Sequence, residues 1–248
     1  LHARSNDIIL NHCRISECSA NGIYWDGYAK DKVGLLFETV IENNGGNGIY
    51  SRGSIGSSGG DVASACTIRG NGGWGIEIRA RATANWSEVS TPIIENCNIY
   101  ENAAGGVLMA ATGSIGGGLV KRATLSRANA SLVECVISGN NGPGISCAAS
   151  GRQSGAVKRS AYTSPFIERC LVFANSGSGI SVSSGSVRSE ASPIVSHSSF
   201  YGNGGYVFSV EGADTAVDLS SSIVTTFLDA YFDIRADASI VSRYTLFD

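Results

Sequence analysis

The sequence predicts an all-β solenoid, a single-stranded parallel β-helix of about eight coils with three short strands per coil. Three observations predict it: apolar residues recurring at fixed offsets along nearly the whole chain, a period-two alternation at those offsets, and 32 glycines among 248 residues with only 4 prolines. Glycine this frequent without a collagen period indicates either disorder or many tight turns. The evenly spread Ile, Val, Leu and Cys positions exclude disorder.

The repeat is set by an anchor at Cys13, Thr39, Cys66, Cys97, Cys135, Cys170 and Ser198. Two residues later comes Ile15, Ile41, Ile68, Ile99, Ile137, Val172 or Phe200, and ten later Ile23, Ile49, Ile76, Val107, Ile145, Ile180 or Phe208. An apolar pair separated by one variable residue is the period of a half-buried strand. The alternation returns at plus twelve in Ile78, Met109, Cys147 and Val182, and a third short strand precedes the anchor in Ile93-Ile94 and Phe166-Ile167. Asn stands at plus five in Asn44, Asn71, Asn102, Asn140, Asn175 and Asn203. There it is expected to turn the chain in a left-handed conformation and to bond its counterparts in a ladder. Gly at plus nine, as in Gly48, Gly75 and Gly106, is expected to allow positive φ or close coil packing.

A weaker eighth coil is anchored at Ser222, so the repeats are read over 7–234 of one domain spanning 1–248, with 235–248 as a C-terminal cap. No comparable cap precedes Asp7, and an open solenoid end exposes unpaired strand edges. The chain is therefore expected to be the C-terminal part of a longer solenoid, with its uncapped N-terminal end available to a protein partner or to self-association. Anchor spacing varies from 24 to 38 residues, and the extra length falls after the third strand, at roughly 26–32, 52–61, 79–90, 110–128, 148–163 and 183–191. Insertions confined to one edge of a repeat protein often build its working face.

The motifs "ENCNIYENAAGGVLM" and "ERCLVFANSGSGISV" resemble the right-handed parallel β-helix repeats of the pectin-lyase-like superfamily, including pectate-lyase-like, polygalacturonase-like and NosD-like proteins. The resemblance covers Asp7 to about Ile234 and implies the right-handed fold. It implies no single activity, because this solenoid carries lyases, hydrolases, epimerases, tailspikes and non-catalytic surface proteins. The catalytic signatures of these relatives (clustered aspartates with Gly-His-Gly and Arg-x-Lys, a Ca²⁺-binding Asp group beside an Arg, Asp-Pro-His-Asp) are missing from the sequence.

Composition narrows the partners. A formal net charge of −3 argues against nucleic acid, and no apolar run is long enough to span a bilayer. Zinc-type Cys pairs are absent from the sequence, so the anchor cysteines are read as small core residues, and no metal or other cofactor is expected. His2, His12 and His197 are too scattered to build a triad.

Two surface groups remain. Outward positions of the third strand read Tyr24/Asp26, Tyr50/Arg52 and Glu77/Arg79 in the first three coils, beside Trp25, Trp74 and Trp86. Aromatic platforms with polar rims suit sugar rings, and Asp26 with Glu77, two coils apart, approaches the carboxylate spacing of an inverting glycosidase. The plainer reading is a solvated sheet face. The second group is basic: Lys121-Arg122 and Lys158-Arg159 lie in similar insertions, "GGLVKRATLS" and "SGAVKRSAYTS", and could meet a polyanionic polysaccharide. Lys158 could also serve as the base of a lyase if desolvated, whereas the plainer role is edge-protecting charge. The triplets starting at Asn85 and Asn129 fit the N-glycosylation pattern in predicted loops.

Two function classes follow. One is a non-catalytic extracellular or cell-surface module, structural or glycan-binding through its one-edge loops. The other is a polysaccharide lyase or glycoside hydrolase with an unusual site. The missing catalytic signatures favour the first.

Overall fold

The structure, a computed structural model, describes residues 1–4, 8–27, 34–53, 62–82, 87–113, 124–154, 157–185, 188–225 and 231–248. Among these, three sheets contain nine parallel strands each, stacked coil upon coil. The lead sheet runs from Ile8–Asn11 to Ser239–Arg243, the anchor sheet from Arg14–Ser16 to Leu246–Phe247, and the face sheet from His2–Arg4 to Phe232–Arg235. The chain passes through lead, anchor and face strands in turn, as a right-handed parallel β-helix does. The segment read as a C-terminal cap adds rungs: Ser239–Arg243 pairs with Ala216–Ser220, and Leu246–Phe247 with Ile223–Thr225.

The predicted inward positions form the core. Ile23, Ile41, Ile68, Ile99, Ile137, Val172 and Phe200 are fully buried, each stacked on its counterpart in the next coil. Burying an Ile this fully contributes about 1.5–3 kcal/mol. The plus-nine glycines serve close packing: a Cβ on Gly75 would lie 2.5 Å from Ile99 Cγ2 and 2.8 Å from the Gly106 carbonyl oxygen.

The turns differ in detail from the expectation. The left-handed residue lies at plus four, as in Glu17, Asn43, Glu101 and Ala174, with φ between 52° and 59°. Except after Glu17, where Cys18 stands, the Asn that follows is buried and forms the ladder. Asn71 Nδ2 donates to Asn102 Oδ1 at 2.9 Å, Asn102 to Asn140 at 2.9 Å, and Asn140 to Asn175 at 2.8 Å. Each amide also donates to a backbone carbonyl one coil back, as Asn102 does to Ile68 at 3.2 Å. A second left-handed residue precedes every anchor, from His12 to Tyr244, with φ between 46° and 54°. There the anchor side chain caps the carbonyl two residues back: Cys97 Sγ donates to Glu95 O at 3.2 Å, Thr39 Oγ1 to Phe37 O at 2.9 Å, and Ser198 Oγ to Ser196 O at 2.9 Å. The anchor thus needs a small donor, and Cys, Thr and Ser all supply one.

The insertions read as loops contain a fourth sheet. Its main path joins Glu88–Ser90, Thr124–Ala128 and Val157–Thr163, with Ser189–Ala191 beyond and Arg152–Ser154 antiparallel to Val157–Thr163. It lies against face strands lengthened to Trp74–Ala82 and Gly105–Gly113. The facing residues are small and buried, Ala80, Ala82 and Ala111 from one sheet, Ser126, Ala128 and Ala161 from the other, which lets the sheets approach closely. Glu88 ties them together, its Oε2 accepting the Arg81 backbone N–H at 2.6 Å.

The outer face of the lead sheet carries a different pattern. Its outward column runs in register through Ile9, Leu35, Val62, Ile93, Ser131, Phe166, Ile194, Asp218 and Val241. Ile9 is 67% exposed and Ile194 46%.

Candidate functional site on the face sheet

Strand register arranges the outward side chains of the face sheet in columns. Tyr24, Tyr50 and Glu77 occupy one, and Arg52 and Arg79 the next, with the backbone of Asp26 in register with Arg52. Register brings these positions together, and the geometry decides what they offer. Tyr24 and Tyr50 stack on each other with centroids 5.1 Å apart and planes 13° from parallel. Consecutive coils bring equivalent rings within one strand spacing, so the rings cover each other's faces and present edges and hydroxyls outward. Burial raises the pKa of the Tyr50 hydroxyl above its ordinary value.

Glu77 is nearly buried and both its oxygens are engaged. Asn47 Nδ2 donates to Oε2, and Arg79 Nε pairs with Oε1. Asn47 is fixed in turn, receiving Trp74 N–H on Oδ1 at 2.7 Å. Asp26 is two rungs and one column from Glu77, and its side chain lies outside the described residues.

Trp74 is half-buried over the fourth coil, where a Cβ on Gly105 would fall 2.3 Å from its ring. Trp25, expected beside the tyrosines, points inward instead. It is 6% exposed and fills the space left by Gly34. Trp86, Asn85, Lys121 and Arg122 lie outside the described residues, as do the side chains of Lys158 and Arg159. The backbone of Lys158-Arg159 belongs to the strand Val157–Thr163, opposite Gln153 and Arg152. Asn129 sits in the turn after Thr124–Ala128, its Oδ1 accepting Ser164 N–H at 2.7 Å.

Tyr50, Arg52 and Arg79 converge with Arg81, Ala80, Thr112 and Gly113 around a cavity of about 430 Å³. Arg81 and Thr112 join because the face strands run on past the ordinary rung, an extension that the sequence reading treated as insertion. Three guanidinium groups and a phenol in one recess provide planar, bidentate donors for carboxylate, sulfate or vicinal hydroxyls.

A second recess, of about 410 Å³, was not anticipated. Tyr162, Glu190, Asp214 and Asp237 line it where the fourth sheet ends at Ser189–Ala191. Asp214 and Asp237 are left-handed with φ of 60° each, and "ADT" with "ADA" is the sequence trace of that repeated turn.

Among the described residues, no group of three or more His, Cys, Asp or Glu could hold a metal ion, and no helix is long and apolar enough to cross a membrane. Comparison with curated proteins and with solved structures returns no match. Residues 1–165 match the family described as right handed beta helix region, and with the stacked parallel sheets this places the chain in the right-handed β-helix family.

Proposed function

We propose that this β-helix is a non-catalytic, extracellular or cell-surface module that binds a glycan in the Tyr50–Arg52–Arg79–Arg81 recess. The observation that carries the reading is the recess itself, of a volume suited to a small ligand and lined by three arginines on rigid strands. Acidic or hydroxyl-rich sugars match its donors, and the Tyr24 and Tyr50 hydroxyls extend the polar rim along the same face.

The engagement of Glu77 supports a binding role over a catalytic one. A general acid or base must exchange a proton with substrate, and a carboxylate held by Asn47 and Arg79 on both oxygens is poorly placed to do so. A glycan-array screen of the purified chain tests the proposal, with bound oligosaccharides then checked for cleavage by mass spectrometry. Binding without turnover, weakened at least tenfold by Arg52→Ala, is the expected result. Unsaturated or hydrolysed products would replace the module with a lyase or hydrolase, and binding to no glycan would overturn the proposal.

A further inference from the structure

We propose that the outer face of the lead sheet is the two-fold interface of an antiparallel dimer of this chain. Its outward column is apolar at seven of nine rungs, and Ile9, Ile93, Phe166, Ile194 and Val241 are exposed. Isolated exposed apolar side chains are ordinary, but an in-register column along the whole described solenoid is a contiguous patch of the kind that marks an interface.

The order of residues in the column identifies the occupant. Ser131 stands at the fifth of nine rungs and is the small polar residue in the middle. A two-fold axis through Ser131 sets Ile93 against Phe166, Val62 against Ile194 and Ile9 against Val241 of the second copy. The residual mismatch, Leu35 opposite Asp218, falls near the ends, where the carboxylate can reach water. A parallel arrangement would instead stack Asp218 on Asp218, a like-charge cost that the antiparallel one avoids. A two-fold contact is isologous, so one self-complementary column suffices.

Length and area also match a second solenoid. Nine rungs span eight spacings of ~4.8 Å, or about 38 Å, and only a partner that is straight over that length with the same spacing meets every rung. A band about 12 Å wide buries roughly 450–500 Å² per copy, or about 1,000 Å² in all, the lower bound for a specific interface. The dimer is accordingly weak and concentration-dependent.

Sedimentation velocity from ~1 to ~200 µM reads the assembly directly. The wild-type chain is expected to pass from monomer to dimer, and Ile194→Lys, with an unchanged β-sheet circular dichroism spectrum, to raise the dissociation constant at least tenfold. A wild-type chain that stays monomeric throughout, or an Ile194→Lys variant that dimerises as well as wild type, overturns the proposal. Orientation is read by disulfide trapping in a Cys13→Ser, Cys18→Asn background, substitutions that install residues used at the same positions of other coils. Mixed Ile93→Cys and Phe166→Cys chains are expected to cross-link to each other, while Ile93→Cys alone is not. Efficient self-linking of Ile93→Cys, as in a parallel dimer or trimer, overturns the antiparallel geometry.

Discussion

Asn102 and Asn140 are 38 residues apart in sequence, yet the side-chain amide of the first donates to the side-chain carbonyl of the second at 2.9 Å. The backbone N–H of Asn102 donates to the same oxygen at 3.1 Å. One Oδ1 therefore satisfies two donors of the coil before it, and its amide passes the arrangement forward. The ladder runs through positions where the backbone has just adopted a left-handed turn at Glu101, so it offsets local strain as well as buried polarity.

Replacing Asn102 by Ala strands the backbone N–H and side-chain amide of Asn71 together with the Ile68 carbonyl. Each buried unsatisfied group costs about 1–3 kcal/mol. A loss of roughly 3–5 kcal/mol in urea unfolding is expected for Asn102→Ala, against under 1 kcal/mol for the exposed Asn98→Ala nearby.

Gly75→Ala is a second stability test, and its cause is steric. The added methyl would meet Ile99 Cγ2, the Gly106 carbonyl and Asn102 Nδ2, all within 2.9 Å. Thermal unfolding should show a destabilisation of about 2–3 kcal/mol. Gly139→Ala, where nothing lies within 4 Å but φ is +61°, should cost about 1 kcal/mol from backbone strain alone.

The seven thiols should divide by exposure. Cys13 and Cys18 are partly exposed, while Cys66, Cys97, Cys135, Cys147 and Cys170 are buried and unpaired in disulfides. Burial pushes the Cys147 thiol up to about 12, so it carries almost no thiolate at neutral pH. Iodoacetamide followed by mass spectrometry should modify two cysteines in the folded chain and all seven in guanidinium.

Acid should weaken the N-terminal coils through Glu42. Its carboxyl is held below the ordinary carboxylate range, first by the hydrogen bond from Arg69 Nε at 2.7 Å and then, against the opposing effect of burial, by the charges of Arg14 and Arg69. A depressed folded pKa makes the contribution fully present above the unfolded value of about 4.3 and lost as pH falls through the folded value. Wild type should therefore melt above Glu42→Gln by a constant margin from pH 7 to about pH 5, with the margin narrowing below that.

Much of this architecture was legible because a solenoid repeats its physics. Ile at plus two and plus ten, Gly at plus nine and Asn at plus five each meet the same environment in every coil, so their recurrence gives strands, close contacts and the ladder. Trp25 was misplaced beside the tyrosines although its plus-twelve position, shared with Ile78 and Met109, points it inward. The fourth sheet was hidden because Ser126, Ala128 and Ala161 pack through small size, and small residues leave little hydrophobic period. The left-handed turns were hidden as well. His12, Ala65, Arg169 and Tyr244 share one backbone conformation without sharing a side-chain type, because hydrogen bonds from the neighbouring anchor hold it. At the candidate site, Tyr50, Arg52 and Arg79 were found by column counting. The commitment of Glu77 to Asn47, 30 residues earlier, required the fold.

The anchor side chain caps the carbonyl two residues back in its own coil, and the buried cysteine anchors also reach a carbonyl of the coil before. Among the described residues, the hydrogen bonds of each coil go to itself and to its two neighbours. One turn can therefore be treated as an interchangeable part. Excising a full period, such as the 38 residues from Cys97 to Glu134, would rejoin Asn96 to Cys135, again a left-handed residue followed by a thiol that caps the strand before it. Gene-level duplication or loss of such a period would change the molecule's reach in steps of one strand spacing while leaving the chemistry of every other turn intact.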